Sequence, residues 1–281
     1  KNAKNVKTEL TLGQKIVPVT SIGCGICYLC KRNLFNLCPE TKALGYFYSG
    51  GFAEYMVIPE TAIKQKAYII LPENVSTLNA SIIEPLSCVI NAQNYLNIQK
   101  GDNVTIYGAG PIGFMHAVLA RASGAKNVVM IDPAFDRLKK FGSLFEGLIF
   151  LDPRGENIIK RIKDITNGFG SDVVITACPA KEAQMESFSI IAPHGRISFF
   201  GGLPKNDSIV SIDSNIIHYN EIAVFGAFAS NKDSYQQAAD LISNKKIDPA
   251  KFITTVIPLE KIEEGIHLVK NGNALKVVVQ I

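Results

Sequence analysis

Four cysteines stand close together near the start of this 281-residue chain. They are Cys24, Cys27, Cys30 and Cys38, with the spacing C-x2-C-x2-C-x7-C. Four thiolates on one short loop can close tetrahedrally on a single Zn²⁺ and leave no open position, so the pattern predicts a structural zinc site in a lobe of residues 21–42. A redox-active CxxC pair, an iron–sulfur cluster and a nucleic-acid-binding zinc ribbon are the alternatives.

A second chemical pattern is a glycine-rich turn in the middle of the chain. Residues 103–132 read NVTIYGAGPIGFMHAVLARASGAKNVVMID, with G-x-G-x-x-G at 108–113. The short apolar run before the turn predicts a buried strand, the run of helix formers after it predicts a helix, and VVMI predicts a second strand. Together they predict one strand–turn–helix–strand unit of the size that binds a dinucleotide.

The residue type at each position of this turn has a structural explanation. Gly108 allows a tight turn, Gly110 lets a diphosphate approach the backbone, and Gly113 lets the helix pack closely. Pro111 suits a first helical turn, whose free amides and dipole attract phosphate. Asp132 ends the second strand, where an acid can bind the adenosine ribose and repel a 2′-phosphate, which favours NAD over NADP. The alternatives are a glycine turn that binds nothing and an Asp132 that only caps a turn.

Composition excludes several classes of protein. Apolar residues make up 47% and charged residues 19% of the chain, which indicates a globular protein. No apolar run approaches the length of a membrane span, and a net charge of +4 without a basic block does not favour nucleic acid. Six cysteines without a visible secretory signal indicate a reducing compartment, so a cytoplasmic protein is expected.

The cysteine lobe and the glycine turn together resemble the zinc-containing medium-chain dehydrogenase/reductase family, within the alcohol dehydrogenase superfamily. The resemblance covers essentially the whole chain, and its sorbitol (polyol) branch looks most similar. It is carried further by GFAEY at 51–55, IIEPLSCVINA at 82–92, HGRISFFGG at 194–202 and IIHYNEIAVFGAFAS at 216–230.

The resemblance implies a two-part α/β fold. It consists of a six-stranded parallel Rossmann sheet plus a partial GroES-like, β-rich catalytic domain that carries the zinc lobe. The expected domains are a catalytic domain at 1–90, an NAD-binding domain at 91–228 and a return to the catalytic domain at 229–281. Strand–helix alternation after residue 101 independently indicates an open parallel sheet, whose ligands bind at the carboxyl ends of the strands.

Residues near the expected cofactor follow from the motif, from the strand ends and from the family. The resemblance places Arg137 against the adenosine, although a solvated helix charge is the alternative. The candidates for cofactor binding are Gly108, Gly110, Pro111, Ile112, Gly113, Asp132, Arg137, Cys178, Gly201, Gly202, Gly226 and Ala227.

Glu84 is the candidate for catalysis. A carboxylate between Ile83 and Pro85 in an apolar run is costly unless it is paired or bound to metal, although it could also be a helix-start residue stabilised by the dipole. The resemblance places Glu84 at a catalytic zinc, as a ligand or near one, and draws the other ligands from a segment that precedes Lys1. The chain as given is therefore expected to bind NAD and one structural zinc without oxidising alcohols. Phe47 is a substrate-pocket candidate by family position only.

The function implied is a zinc-dependent, NAD-linked dehydrogenase of polyols or other secondary alcohols. Zinc would polarise the alcohol oxygen, and hydride would pass to the nicotinamide. A threonine dehydrogenase-like enzyme is the near alternative, and an inactive zinc- and nucleotide-binding scaffold is the alternative of another class. The expected partners are a small alcohol and further copies of the chain in a dimer or tetramer, without nucleic acid or membrane. Cys88 and the four histidines are expected to be structural or surface residues.

Overall fold

The computed structural model describes residues 6–281, which divide into two units. The second unit is the continuous segment Ala92–Ala227, whereas the first combines the chain up to Asn91 with Phe228–Ile281. The first unit is therefore completed by residues that are distant in sequence.

The amino-terminal part of the first unit consists of short elements joined by long loops. Strand β1 pairs antiparallel with β4, and β2 pairs antiparallel with β3. Helix α3 is buried on most sides, because Ile83, Leu86 and Val89 are all inaccessible to solvent. The elements are β1 (Ile16–Pro18), β2 (Ser21–Ile22), β3 (Lys42–Ala43), α1 (Glu60–Lys64), β4 (Tyr68–Ile70), α2 (Thr77–Ala80) and α3 (Ile83–Leu96), with 3-10 turns at Cys30–Arg32 and Phe35–Leu37.

The second unit is a parallel sheet covered by helices. Its strands are β5 (Asn103–Tyr107), β6 (Asn127–Ile131), β7 (Ile149–Leu151), β8 (Ser171–Thr176), β9 (Ile191–Phe199) and β10 (Ala223–Gly226). Within residues 6–281 they form one six-stranded sheet in the order β10-β9-β8-β5-β6-β7, with every pairing parallel. The central strands are continuous apolar runs because helices cover both faces.

The helices of the second unit follow the strands in alternation. They are α4 (Pro111–Ala122), α5 (Phe135–Gly142), α6 (Ile158–Ile165), α7 (Lys181–Ile190) and α8 (Ser214–Asn220), with a 3-10 turn at Lys205–Asp207. Asn157 begins α6 by accepting a hydrogen bond from the Lys160 amide, and Asp213 begins α8 in the same way from the Asn215 amide. The expected fold class of a parallel Rossmann sheet with a separate second part is confirmed.

Two elements differ from the sequence prediction. Strand β9 begins at Ile191, five residues earlier than the run of residues 196–200 suggests, because its pairing with β8 passes through an irregularity around His194. His194 has a positive φ of 61°, which a strand pattern does not reveal. Helix α8, which carries His218 and precedes β10, is the second element and was not predicted.

The carboxyl-terminal segment completes the first unit with α9 (Lys232–Ser243), β11 (Ile253–Pro258), α10 (Ile262–Lys270) and β12 (Lys276–Gln280), and with 3-10 turns at Pro249–Lys251 and Leu259–Lys261. Strands β11 and β12 pair in parallel. Tyr235 on α9 is fully buried, and its hydroxyl accepts a 3.2 Å hydrogen bond from the Thr20 amide near β1. No helix within residues 6–281 is long and apolar enough to cross a membrane.

His116 on α4 is a fully buried histidine in the second unit. Its Nδ1 lies 3.2 Å from Nε2 of Gln93, which also donates to the His116 carbonyl, and its ring meets Phe200 edge-on. Its Nε2 has no hydrogen-bond partner among the residues that the structure describes. Burial lowers the pKa of His116 to about 3, so the ring is neutral in the folded protein.

We expect this histidine to destabilise the fold in acid. The unfolded chain binds a proton near the ordinary pKa of 6.5 and the folded chain does not, so stability is complete above 6.5 and falls as the pH drops toward 3. The loss attributable to His116 is about 1.4 kcal/mol per pH unit in this window. The free energy of unfolding, measured against pH for the wild type and for His116→Leu, should differ by this slope. Parallel curves would contradict the expectation, and His267→Leu at an exposed position of α10 is the control.

Candidate metal and cofactor sites

The four cysteines of the lobe converge as their spacing predicts. Their sulfur atoms all lie within 4.8 Å of one another, and the residues that the structure describes contain no other group of three or more His, Cys, Asp or Glu ligands. The Cys24–Cys30 sulfur distance is 3.9 Å and the Cys27–Cys38 distance is 3.8 Å. Tetrahedral zinc with Zn–S bonds of about 2.3 Å separates its sulfurs by about 3.8 Å, so the cluster fits this ion.

Backbone amides surround the same sulfurs. The amide of Cys27 donates to the sulfur of Cys24 at 3.4 Å, that of Cys30 to the sulfur of Cys27 at 3.5 Å, and that of Cys24 to the sulfur of Cys38 at 3.4 Å. The amides of Ile26 and Cys27 lower the pKa of Cys24 to about 6, whereas burial raises the pKa of Cys30 to about 12. Amide donors stabilise the thiolate form of cysteine, which is the form that binds a metal cation.

The glycine turn between β5 and α4 is set by close backbone contacts. Gly108 has a φ of 110°, and a Cβ on this residue would lie 2.8 Å from the Ala177 carbonyl oxygen. A Cβ on Gly113 would lie 2.0 Å from the carbonyl oxygen of Gly108, so α4 can start at this position only with glycine there. Gly110 has open space where its Cβ would be, which leaves the backbone accessible to a phosphate. Pro111 begins the helix, as predicted.

Asp132 follows β6 and contacts the glycine turn directly. Its Oδ2 accepts hydrogen bonds from the Ala109 amide at 2.7 Å and from Nη2 of Arg137 at 3.2 Å. Its Oδ1 accepts from the Ala134 amide at 2.7 Å. A carboxylate has about four acceptor positions, so one position on Oδ1 is left for a ribose hydroxyl. The sequence prediction assigned Asp132 to the ribose and did not anticipate that this side chain also fixes the turn.

Arg137 belongs to the same arrangement. It lies on α5, five residues after Asp132, with its guanidinium partly exposed and paired to that carboxylate. Its Nε is buried and has no partner within residues 6–281. The ion pair reduces the negative field of Asp132 and presents the remaining N–H groups of the guanidinium beside it. The adenosine contact itself remains a prediction.

The other cofactor candidates lie where the strands end. Cys178 follows β8, and a Cβ on Gly201 would lie 2.5 Å from the Cys178 carbonyl oxygen. The Gly201 amide donates to the carbonyl of Thr176 at 2.7 Å. Gly202 and Gly226 have open space at the Cβ position, and Ala227 follows β10. These residues share the carboxyl edge of the sheet, and their part in cofactor binding remains a prediction, as does that of Ile112.

Glu84 is the second residue of α3 in the first unit and is partly buried. Burial raises the pKa of its carboxyl group, although the hydrogen bond from Cys88 and the charge of Lys276 oppose the shift. The Cys88 sulfur lies 3.7 Å from Oε1. Cys88, which was expected to be structural, thus contacts this carboxylate, and the i, i+4 spacing from Glu84 could have indicated the contact.

A catalytic zinc at Glu84 is not assembled by the described residues. The four cysteines are the one group of three or more potential ligands within residues 6–281, and Glu84 is not part of it. A zinc ion in a catalytic site needs about three protein ligands, so the part of Glu84 in a catalytic zinc site remains a prediction. Phe47 is exposed, with Nζ of Lys42 4.4 Å above its ring, and its role at a substrate remains a prediction.

Comparison with known proteins identifies the family. The family model for zinc-binding dehydrogenases matches residues 111–244, and the model for the alcohol dehydrogenase GroES-like domain matches residues 2–68. The chain is 31% identical over 275 residues to the L-threonine 3-dehydrogenase of Pyrococcus furiosus, covering 96% of this chain and 75% of that protein. It is 26% identical to the sorbitol dehydrogenase of Halalkalibacterium halodurans, covering 96% and 77%.

The chain belongs to the zinc-binding dehydrogenases. The NADP-bound structure of a zinc-binding dehydrogenase from Sinorhizobium meliloti 1021 has a TM-score of 0.87 and 26% identity, covering 98% of this chain and 79% of that one. The predicted family is thus confirmed, and with it the expectation of an oxidoreductase.

Replacing Cys27 by Ser should remove the structural metal. The variant has three cysteine ligands instead of four. It should therefore release about one zinc per chain, and residues 21–42 should become less ordered. Elemental analysis of the purified protein measures the metal, and limited proteolysis measures the loosening. Dinucleotide binding by the second unit should persist. Cys88→Ser is the control and should keep its zinc; an unchanged zinc content in Cys27→Ser would refute the assignment.

Proposed function

We propose that this protein oxidises secondary alcohols, with polyols as the main substrate class and NAD as the hydride acceptor. The observation that carries the proposal is the turn of residues 108–113 with the Asp132 carboxylate held 2.7 Å from the Ala109 amide. It combines a backbone shaped for a diphosphate with an acid placed for the ribose. The polyol class is supported by the sorbitol dehydrogenase relative and by the sequence resemblance.

The turn and helix α4 bind the cofactor phosphates in this proposal. Gly110 precedes the helix in an extended conformation, and no side chain caps the free amides of the first turn. These amides and the positive end of the helix dipole attract the diphosphate. Bound NAD supplies a nicotinamide ring that accepts a hydride.

Cofactor choice in the proposal depends on the balance between two charges. Asp132 disfavours a 2′-phosphate, whereas Arg137 at 3.2 Å offsets part of that charge. The Sinorhizobium meliloti relative binds NADP. Asp132 is nevertheless the group with a free acceptor position, so a ribose hydroxyl is the better ligand and NAD the better cofactor.

Glu84 acts on the alcohol in the proposal. A partly buried carboxylate with one weak side-chain hydrogen-bond donor among the described residues is costly for a structural role. The same features suit a group that accepts a proton or a hydroxyl hydrogen bond from a substrate.

A threonine dehydrogenase is the second candidate, favoured by the Pyrococcus furiosus relative at 31% identity. Its substrate differs from a polyol by carrying an ammonium and a carboxylate, so the two functions are separated by one assay.

We further propose a homo-oligomer in the cytoplasm. The family resemblance supports the oligomer, and six cysteines without a disulfide support a reducing compartment.

The test is turnover by the full-length gene product with a panel of polyols, simple secondary alcohols and threonine, each with NAD and with NADP. We expect NADH formation with polyols to exceed that with threonine. Glu84→Gln should lower kcat by about a hundred-fold, because general acid–base groups contribute this much, and should leave NAD affinity unchanged. Exposed Glu73→Gln is the matched control and should be unaffected. Wild-type turnover in Glu84→Gln, or no turnover with any alcohol, would refute the proposal.

Replacing Asp132 by Ser should relax the choice of cofactor. The variant loses the repulsion of a 2′-phosphate and a charged acceptor, so NAD affinity should fall about ten-fold while NADP affinity rises. Since Asp132 also holds the Ala109 and Ala134 amides, Asp132→Asn is the matched variant, which retains a carbonyl acceptor for the turn. Fluorescence titration with both cofactors measures the ratio. A wild-type preference for NADP would contradict this interpretation.

A further inference from the structure

A buried polar network surrounds Glu84 in the first unit. Ser87 and Ser230 are buried, and their hydroxyl oxygens lie 2.6 Å apart. Cys88 contacts both Oε1 of Glu84, at 3.7 Å, and the hydroxyl of Ser230, at 3.8 Å. The network thus joins one face of α3 to the chain segment that returns after the second unit.

The protons of this network can be assigned from its acceptors. The Ser87 hydroxyl lies 2.6 Å from the Glu84 carbonyl oxygen, which can only accept, so Ser87 donates there. The hydrogen between the two serines must then come from Ser230. Both hydroxyl protons are therefore committed. The single S–H of Cys88 faces two acceptors, Oε1 of Glu84 at 3.7 Å and Oγ of Ser230 at 3.8 Å, of which the carboxylate oxygen is the stronger.

The position of Ser230 is itself fixed by the first unit. Ala229 has a φ of 50°, and its carbonyl accepts a 3.0 Å hydrogen bond from the Asn91 side chain. The Asn36 side chain donates to the Phe228 carbonyl at 2.7 Å. Residues 228–230 are thus each held by a hydrogen bond. The Ser230 hydroxyl is therefore kept in a fixed position beside the Cys88 thiol.

We propose that Cys88 is a positioning residue that holds the Glu84 carboxylate in one orientation through an S–H···O hydrogen bond. This inference rests on the proposed role of Glu84 in alcohol oxidation. Within the residues that the structure describes, no other side chain donates a hydrogen bond to that carboxylate. Without the thiol, Glu84 keeps its charge and burial but loses its fixed direction, and a misplaced catalytic group loses rate.

The test is a double-mutant cycle in the full-length gene product, with Cys88→Ala, Glu84→Ala and the double variant. Cys88→Ala should lower kcat about five-fold with the KM for NAD within two-fold, as expected for one weak hydrogen bond. In the Glu84→Ala background the same change should have less than about a two-fold effect, because no side-chain acceptor is left for the thiol. Cys88→Ser keeps a donor and should recover most of the rate. Val89→Ala, a buried change on the same helix, should lower the melting temperature without changing kcat.

The free energy of unfolding of the same four proteins gives a readout that does not depend on turnover. A hydrogen bond between Cys88 and Glu84 predicts non-additive unfolding energies. Additive energies, or a kcat loss in Cys88→Ala that persists unchanged in the Glu84→Ala background, would overturn the positioning role. Equal loss in Cys88→Ala and Cys88→Ser would overturn it as well. Full activity of Glu84→Gln with non-additive unfolding would instead overturn the proposed role of Glu84 and leave the contact established.

Discussion

The close approach of helix α4 to the turn before it is the constraint on which the second unit depends. A Cβ at position 113 would lie only 2.0 Å from the Gly108 carbonyl oxygen, so the helix can pack this closely only with glycine at that position. This contact fixes the direction in which α4 leaves the sheet and therefore where its free amides point. Asp132 ties the same turn to the next strand through the Ala109 amide. The diphosphate site is thus shaped by backbone packing before any ligand arrives.

The cofactor site and the cysteine site are stabilised by different kinds of interaction. In the second unit, continuous apolar strands bury a sheet, and its carboxyl edge collects the cofactor candidates because parallel strands all end there. In the cysteine lobe there is little apolar core, and short 3-10 turns expose backbone amides toward sulfur. A metal suits such a lobe because four sulfurs within 4.8 Å of one another can bind it together.

The sequence was most informative where a local rule determines the structure. The spacing of Cys24 and its three partners, and the glycines at 108 and 113, have few geometric solutions, so the converging sulfurs and the turn could be predicted. The start of β9 could not, because a positive φ at His194 interrupts the apolar pattern, whereas the cap of α8 at Asp213 is a signal that the sequence does carry. Long-range contacts were hidden for another reason: the Ser230 hydroxyl meets Ser87 across 143 residues, and no periodicity carries that information. The amide contact of Asp132 was likewise a matter of tertiary geometry.

The division of the chain has a consequence for its synthesis. The second unit is one continuous segment, so all of it can be made and folded while Phe228–Ile281 is still being translated. The first unit cannot be completed at that stage, because Tyr235 has not yet been synthesised. Tyr235 is fully buried in that unit, and its hydroxyl accepts a hydrogen bond from the Thr20 amide, 215 residues earlier in the chain. A nascent chain therefore holds all of the second unit while the first unit still lacks its carboxyl-terminal segment.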